Sequence, residues 1–197
     1  MKSFFSRLLK RWYAYIIAIF FGITLSCLYV DFTGQPRAEE TITFFVSTYS
    51  TDDSKARAAL TKDAPSYLKE VNLVNIPLSE SNWEYYFVNR GLNHADVFVL
   101  PESRLTSAML TEQFALLKPE VLSSYFSYEA EETGHGIYLH HKGENKPSPF
   151  LFTSEEGKDE NFYVLFRKNS IHIGGLYAKS SHDTALTMVK HWIDYEA

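Results

Sequence analysis

The sequence predicts an α/β domain with a mainly parallel sheet, set behind a single N-terminal transmembrane helix. Three observations carry that reading. Residues 12–30 contain no charged side chain and follow a segment with four bases and no acid. From residue 41 onward, β-branched and aromatic runs alternate with helical patterns. The 197 residues, 45% hydrophobic and 22% charged, suit one ordinary domain with an appendage.

The first element is the basic segment 1–11, with Lys2, Arg7, Lys10 and Arg11. The run WYAYIIAIFFGITLSCLYV over 12–30 follows it and reaches about 30 Å as a helix, close to the hydrocarbon thickness of a bilayer. Trp12, Tyr13 and Tyr15 mark one end and Tyr29 the other, as aromatic residues do at headgroup level. The positive-inside rule places the N-terminus in the cytoplasm and everything from Asp31 onward outside. Two other readings compete. A cleaved signal peptide has a shorter apolar core and a small-residue cleavage site, for which Leu-Ser-Cys-Leu-Tyr-Val is a poor match. A lipoprotein would use Cys27, which has small Ser26 before it but apolar Leu28-Tyr29-Val30 after it. The uncleaved anchor is the reading adopted.

Residues 31–40, with Gly34 and Pro36, read as a linker, and 41–197 as the extracytoplasmic domain. The run TITFFVST at 41–48 predicts a strand buried on both faces. Ser50 to Asp53 offer caps for a helix that Pro65 interrupts. A second strand follows at 71–78, a second helix at 79–92 capped by Ser79 or Ser81, and a third strand at 96–100, closed by Pro101. Strand and helix alternating at this spacing imply right-handed crossovers and parallel pairing. The carboxyl ends of such strands share one edge, where open α/β sheets bind ligands. That edge gathers Tyr49 and Ser50 after the first strand and Glu102 after the third.

The remainder is less regular. Residues 102–128 read as loosely helical, 136–141 as a short strand and 142–161 as an exposed excursion. Strands are expected at 161–166 and 170–176, with a hairpin-like turn at Arg167-Lys168-Asn169 between them. A closing amphipathic helix over 178–195 packs Ala185, Leu186, Met188, Val189 and Trp192 inward.

Composition removes several function classes. The single cysteine excludes a disulfide framework and a multi-cysteine metal site. The net charge of −5 argues against nucleic-acid binding. That average is itself a composite, because residues 1–11 carry +4 and the rest −9. His135, His140 and His141 lie close in sequence, but a strand would put His135 and His141 on one face and His140 on the other, so no metal site is assigned. His172, between Ile171 and Ile173, reads as a structural or cleft-facing side chain. No Gly-x-Ser-x-Gly elbow occurs, and Gly174-Gly175 lacks the context of a phosphate loop, so no catalytic residue and no cofactor are assigned. Glu129, Glu131 and Glu132 read as a solvated run. Two aromatic groups, Trp83-Tyr85-Tyr86-Phe87 and Tyr125-Phe126-Tyr128, read as core first and as partner surface or sugar platform second.

Residues 41–105 resemble one lobe of a bacterial extracellular solute-binding protein, the ligand-capturing component of ABC importers. The resemblance rests on Phe44-Phe45-Val46-Ser47 before a helix, on Ile76-Pro77-Leu78 ending the second strand, and on Ala95-Asp96-Val97-Phe98-Val99-Leu100-Pro101-Glu102 running into a loop at the cleft. The C-terminal part is similar to small membrane-anchored proteins of Gram-positive bacteria. The resemblance implies a periplasmic-binding-protein-like lobe, with Tyr49, Ser50, Trp83 and Glu102 as candidate ligand-binding residues. A complete two-lobed binding protein needs more chain than 41–197 supplies. The role expected is therefore accessory and non-catalytic. The expected partners are the membrane and either an ABC permease or a solute-binding protein, with a small sugar as candidate ligand and no nucleic acid. The alternatives are a ligand-sensing ectodomain that works as a homo-oligomer and, third, a carbohydrate-active enzyme using Glu102.

Overall fold

The computed structural model describes residues 12–62, 64–118, 133–173 and 183–195. It divides into two units, 1–37 and 38–197, each described by itself.

In the first unit, helix α1 covers Trp12–Gly34. Its Trp12–Val30 portion is long and apolar enough to cross a membrane, and none of it is buried. Two of its side-chain hydroxyls return to the helix's own backbone. Thr24 Oγ1 donates to Phe20 O and Ser26 Oγ to Gly22 O, both at 2.8 Å. A helix with no water around its backbone needs that internal satisfaction.

The second unit begins with a 3₁₀ turn at Ala38–Glu40. Strands β1 (Thr41–Val46), β2 (Glu70–Asn75), β3 (Val97–Pro101), β4 (Gly136–His140) and β5 (Phe162–Phe166) follow in chain order. They form one five-stranded sheet in the order β2-β1-β3-β5-β4. β1 runs parallel to both β2 and β3, with Phe44 opposite Leu73 on one side and Val97 on the other. β5 is antiparallel to both β3 and β4. The sheet is therefore mixed, which corrects the mainly parallel expectation: only the β2-β1-β3 side is parallel.

Period-two alternation splits each strand between two cores. Ile42, Phe44 and Val46 join Val97, Val99, Phe162, Val164 and Phe166 on one face. Phe45 joins Phe98, Leu100, Tyr163 and Leu165 on the other. Both faces are covered, so the central strands read as continuous apolar runs in the sequence. Helices α2 (Ser54–Lys62) and α5 (Thr184–Ile193) cover the first face through Ala56, Leu60, Leu186, Val189 and Trp192. Trp192 packs edge-on against Phe44 at 5.1 Å, and its Nε1 donates to Ala56 O at 3.1 Å. The second face is covered by α3 (Trp83–Tyr86), by the π-helical turn Phe87–Leu92 that continues it, and by α4 (Ser107–Gln113).

Boundaries moved where local chemistry won. α2 ends at Lys62, short of Pro65, and is entered through Asp52, whose Oδ1 accepts from Ser54 N–H at 2.9 Å. The N-cap position of α3 is Asn82, without a side-chain cap bond, rather than Ser79 or Ser81. Residues 102–118 hold one short 3₁₀ turn and α4, then an extended stretch from Phe114, so within the loosely helical reading of 102–128 the helix ends before Pro119. Ser170 N–H donates to Arg167 O at 3.0 Å, closing a turn through Lys168 and Asn169, and Ile171 and His172 form a further turn rather than the start of a strand. Residues 174–176, the aromatic group Tyr125-Phe126-Tyr128, the acidic run Glu129-Glu131-Glu132, the basic segment 1–11 and Gly174-Gly175 lie outside the described residues.

Candidate functional site

β1 and β3 are neighbours in the sheet, and the chain leaves them in different directions. The crevice beyond their carboxyl ends is a ligand position in open α/β sheets. Here it is a groove of about 980 Å³ lined by Tyr49, Leu78, Ser103, Arg104, Lys142, Leu151 and the stretch Ser154 to Glu160.

Glu160 ties the two strand ends together. Its Oε1 accepts from the Tyr49 hydroxyl at 3.2 Å and its Oε2 from the Ser103 backbone N–H at 3.0 Å. Burial and the adjacent Glu160 carboxylate push the Tyr49 phenol above its ordinary value. Glu102 is held by its neighbour in space, Asn161. The Asn161 Nδ2 donates to Glu102 Oε2 at 2.8 Å, and the Glu102 N–H donates to Asn161 O at 2.9 Å. The groove's floor is fixed to β1 by Tyr49 N–H donating to Leu151 O at 3.1 Å.

The far wall is organised by Asp159. His140 Nε2 lies 3.1 Å from its Oδ1, and Gly143 N–H donates to its Oδ2 at 2.5 Å. The hydrogen bond from His140 and then that from Gly143 hold this carboxyl below the usual carboxylate range. Gly143 has φ +81°, so the turn that presents its N–H suits glycine. The groove's lining holds no histidine and no cysteine, and its cations Arg104, Lys142 and Lys158 face Glu155, Glu156, Asp159 and Glu160. Mixed charge of this kind can bind a polar or charged surface.

Of the four residues proposed from sequence, Tyr49 lines the groove and Glu102 is pinned at its rim. Ser50 turns back on the chain: its Oγ donates to Asp52 O at 2.8 Å and its carbonyl accepts from Asn75 Nδ2 at 3.1 Å. Trp83 lies in the second core, 5% exposed. It stacks on Phe87 at 4.9 Å, donates from Nε1 to Ser47 Oγ at 2.5 Å, and has the Arg104 guanidinium 4.6 Å from its ring centroid. The indole thus supports Arg104, which lines the groove, rather than lining it directly.

The histidines go to separate partners. His135 Nδ1 meets Phe114 O at 3.2 Å, His140 pairs with Asp159, and His141 stacks on Tyr138 at 4.2 Å. Among the described residues no group of three His, Cys, Asp or Glu side chains could hold a metal ion. His172 is 2% exposed, and its Nε2 donates to Thr41 O at 2.7 Å, fastening the turn after β5 to the start of β1.

Arg104, Lys142, Asp159, Glu160 and Asn161 were not singled out from sequence. Glu160 stands 111 residues from Tyr49 and 57 from Ser103, and nothing local to residues 142–161 marks them as the groove's wall. No protein-family model, no curated protein and no solved structure matches this chain.

Proposed function

We propose that this chain is a membrane-tethered, extracytoplasmic recognition domain, related in architecture to one lobe of a solute-binding protein, that serves a transport complex without catalysing a reaction. The observation that carries the proposal is the groove at the divergence of β1 and β3. Its polar groups are cross-linked by Glu160 and Asn161 into a fixed, mixed-charge surface. Preorganised polar groups favour recognition, because the ordering cost is met before the partner arrives. The helix over Trp12–Val30 supports the tether, and the four bases before it support an N-terminus on the cytoplasmic side. The domain's net charge of −9 after residue 11 favours a partner with a basic face.

The test is site-specific photocrosslinking in native membranes, with the probe at Ser103 on the groove or at Glu70 at the start of β2. A transporter permease or an intact solute-binding protein is expected to crosslink from Ser103 and not from Glu70. Crosslinking only to a second copy of the chain, or equally from both positions, would sink the proposal in favour of a homo-oligomeric sensor.

A further inference from the structure

A second groove, of about 660 Å³, lies at the other end of the same strands. Its lining includes Thr41 and Thr43 from the amino half of β1, Asp96 just before β3, and Ala38, the first residue of the domain. Thr41 and Thr43 alternate with Ile42 and Phe44 and so lie on the face that carries Phe45. Around them stand three arginines, Arg57, Arg90 and Arg167, together with His94.

The arginines differ in how far they are satisfied. Arg57 pairs with Asp53 at 3.0 Å and reaches Leu73 O at 3.3 Å. Arg167 donates from Nη1 to Asn93 O at 3.2 Å and has Nη2 3.6 Å from Asp96 Oδ1, while its Nε is buried with no hydrogen-bond partner among the described residues. Arg90 lies 5.5 Å from the Tyr86 ring centroid and has no acidic partner among the described residues. Asp96 is already committed. Its Oδ2 accepts from Thr43 N–H at 3.0 Å and its Oδ1 from Ser170 Oγ at 2.7 Å. Three guanidinia thus face two carboxylates, Asp96 and Asp53. The groove keeps a positive excess in a domain whose charge is otherwise strongly negative.

We propose that this groove is a binding site for a phosphate-class oxyanion, free or in a lipid headgroup, held by Arg90 and Arg167 with Arg57 at its margin. Guanidinium forks match the geometry of phosphate oxygens, and an acceptor in the groove would complete a set of donors the protein leaves incomplete. The π-helical turn Phe87–Leu92 carries Arg90, and the backbone turns again to present His94. Such local π windings recur at functional sites, where they set side chains that a regular helix would place elsewhere. The volume suits a small ligand or one headgroup. Ala38, on the lining, follows Val30 by only eight residues, which makes headgroups one natural source.

Two arms separate the sources. In the first, the full chain in a non-ionic detergent is titrated with inorganic phosphate against chloride at matched ionic strength, and thermal unfolding is followed. In the second, the full chain is placed in phosphatidylcholine nanodiscs with and without phosphatidylglycerol, and amide hydrogen exchange of residues 91–97 is read. A response in the phosphate arm alone assigns a free oxyanion, and one in the lipid arm alone assigns a headgroup. In whichever arm responds, Arg90→Gln is expected to weaken the effect roughly tenfold while leaving unliganded unfolding unchanged. Arg57→Gln provides a second variant with a smaller loss. Silence in both arms, or a response that neither variant weakens, overturns the proposal.

Discussion

At the scale of single residues, the groove depends on carboxylates whose charge is supported by directed donors. Asp159 is the clearest case, held below the usual carboxylate range first by the hydrogen bond from His140 and then by that from Gly143 N–H. A group whose folded pKa is depressed favours the folded state above its unfolded value, near 3.8 here, and loses that contribution as pH falls through the lower folded value. Asp159→Asn is therefore expected to lower the melting temperature at neutral pH, with the gap to the parent closing as pH falls below the carboxylate range. Asp52, lowered by its bonds from Ser54, retains its share of the acid limb in both proteins. A gap that stays constant from neutral to strongly acidic pH would refute the assignment. Only part of this site was legible in the sequence. Tyr49 and Glu102 follow from where parallel strands end, a rule that needs only strand positions. Glu160, Asn161 and Asp159 arrive from the excursion at 142–161, and their partners are set by tertiary packing that no local pattern encodes. The sequence reads Trp83 as core first and as a ligand platform second, because aromatic side chains serve cores and ligands alike, and its stacking on Phe87 belongs to the core.

At the scale of elements, departures from the expected fold share a cause: regular periodicity does not carry through places where the backbone breaks it. β4 is one. Its register against β5 shifts between Tyr138 and His140, so strict alternation fails there. Leu139 belongs to the first core, and His140 stacks at 4.4 Å on Phe152 of that same core instead of pointing away. A bulge re-aims a side chain in this way, and here it delivers His140 to Asp159. The turn Phe87–Leu92 is another. The 79–92 pattern announces a helix but not its π winding, and Gly91 within it shows what the winding requires. A Cβ at Gly91 would stand 3.1 Å from Phe98 Cε1 and 3.3 Å from Phe45 Cδ2. Both rings are themselves packed, at 5.9 Å from each other. Gly91→Ala gains about 1 kcal/mol of helix propensity and meets overpacking of about 1–3 kcal/mol against rings that cannot retreat. With overpacking near the middle of that range, a net destabilisation of about 1 kcal/mol in chemical unfolding is expected. Val88→Ala, on the exposed side of the same turn, is expected to stay within about 0.5 kcal/mol of the parent. If Gly91→Ala proves neutral or stabilising, the turn packs more loosely than these distances require.

At the scale of the whole chain, the charge division and the hydropathy division fall at the same place. The +4 of residues 1–11 immediately before the uncharged 12–30 is the asymmetry from which the proposed single-pass topology is read, and the −9 lies beyond it. The second unit has its own two-sided core, so its folding makes no demand on the tether. Removal of residues 1–37 is therefore expected to release a folded domain from the membrane pellet into the soluble fraction. Topology is read in a Cys27→Ser background, which leaves no native thiol. A membrane-impermeant maleimide is expected to label Ser154→Cys, at the groove, in intact cells, and Ser3→Cys only after permeabilisation. The reverse pattern would put the domain in the cytoplasm and with it remove the proposed transport role. Cys27→Ser also discriminates the lipid-anchored alternative. An apolar helix holds the chain through its whole length, so the substitution should leave membrane attachment intact. A lipoprotein would lose its processing as well as its lipid along with the thiol, so the readout is intact mass: a parent chain that starts at Cys27 with added acyl mass, beside a full-length Cys27→Ser chain, would transfer the anchoring function from the helix to that single residue.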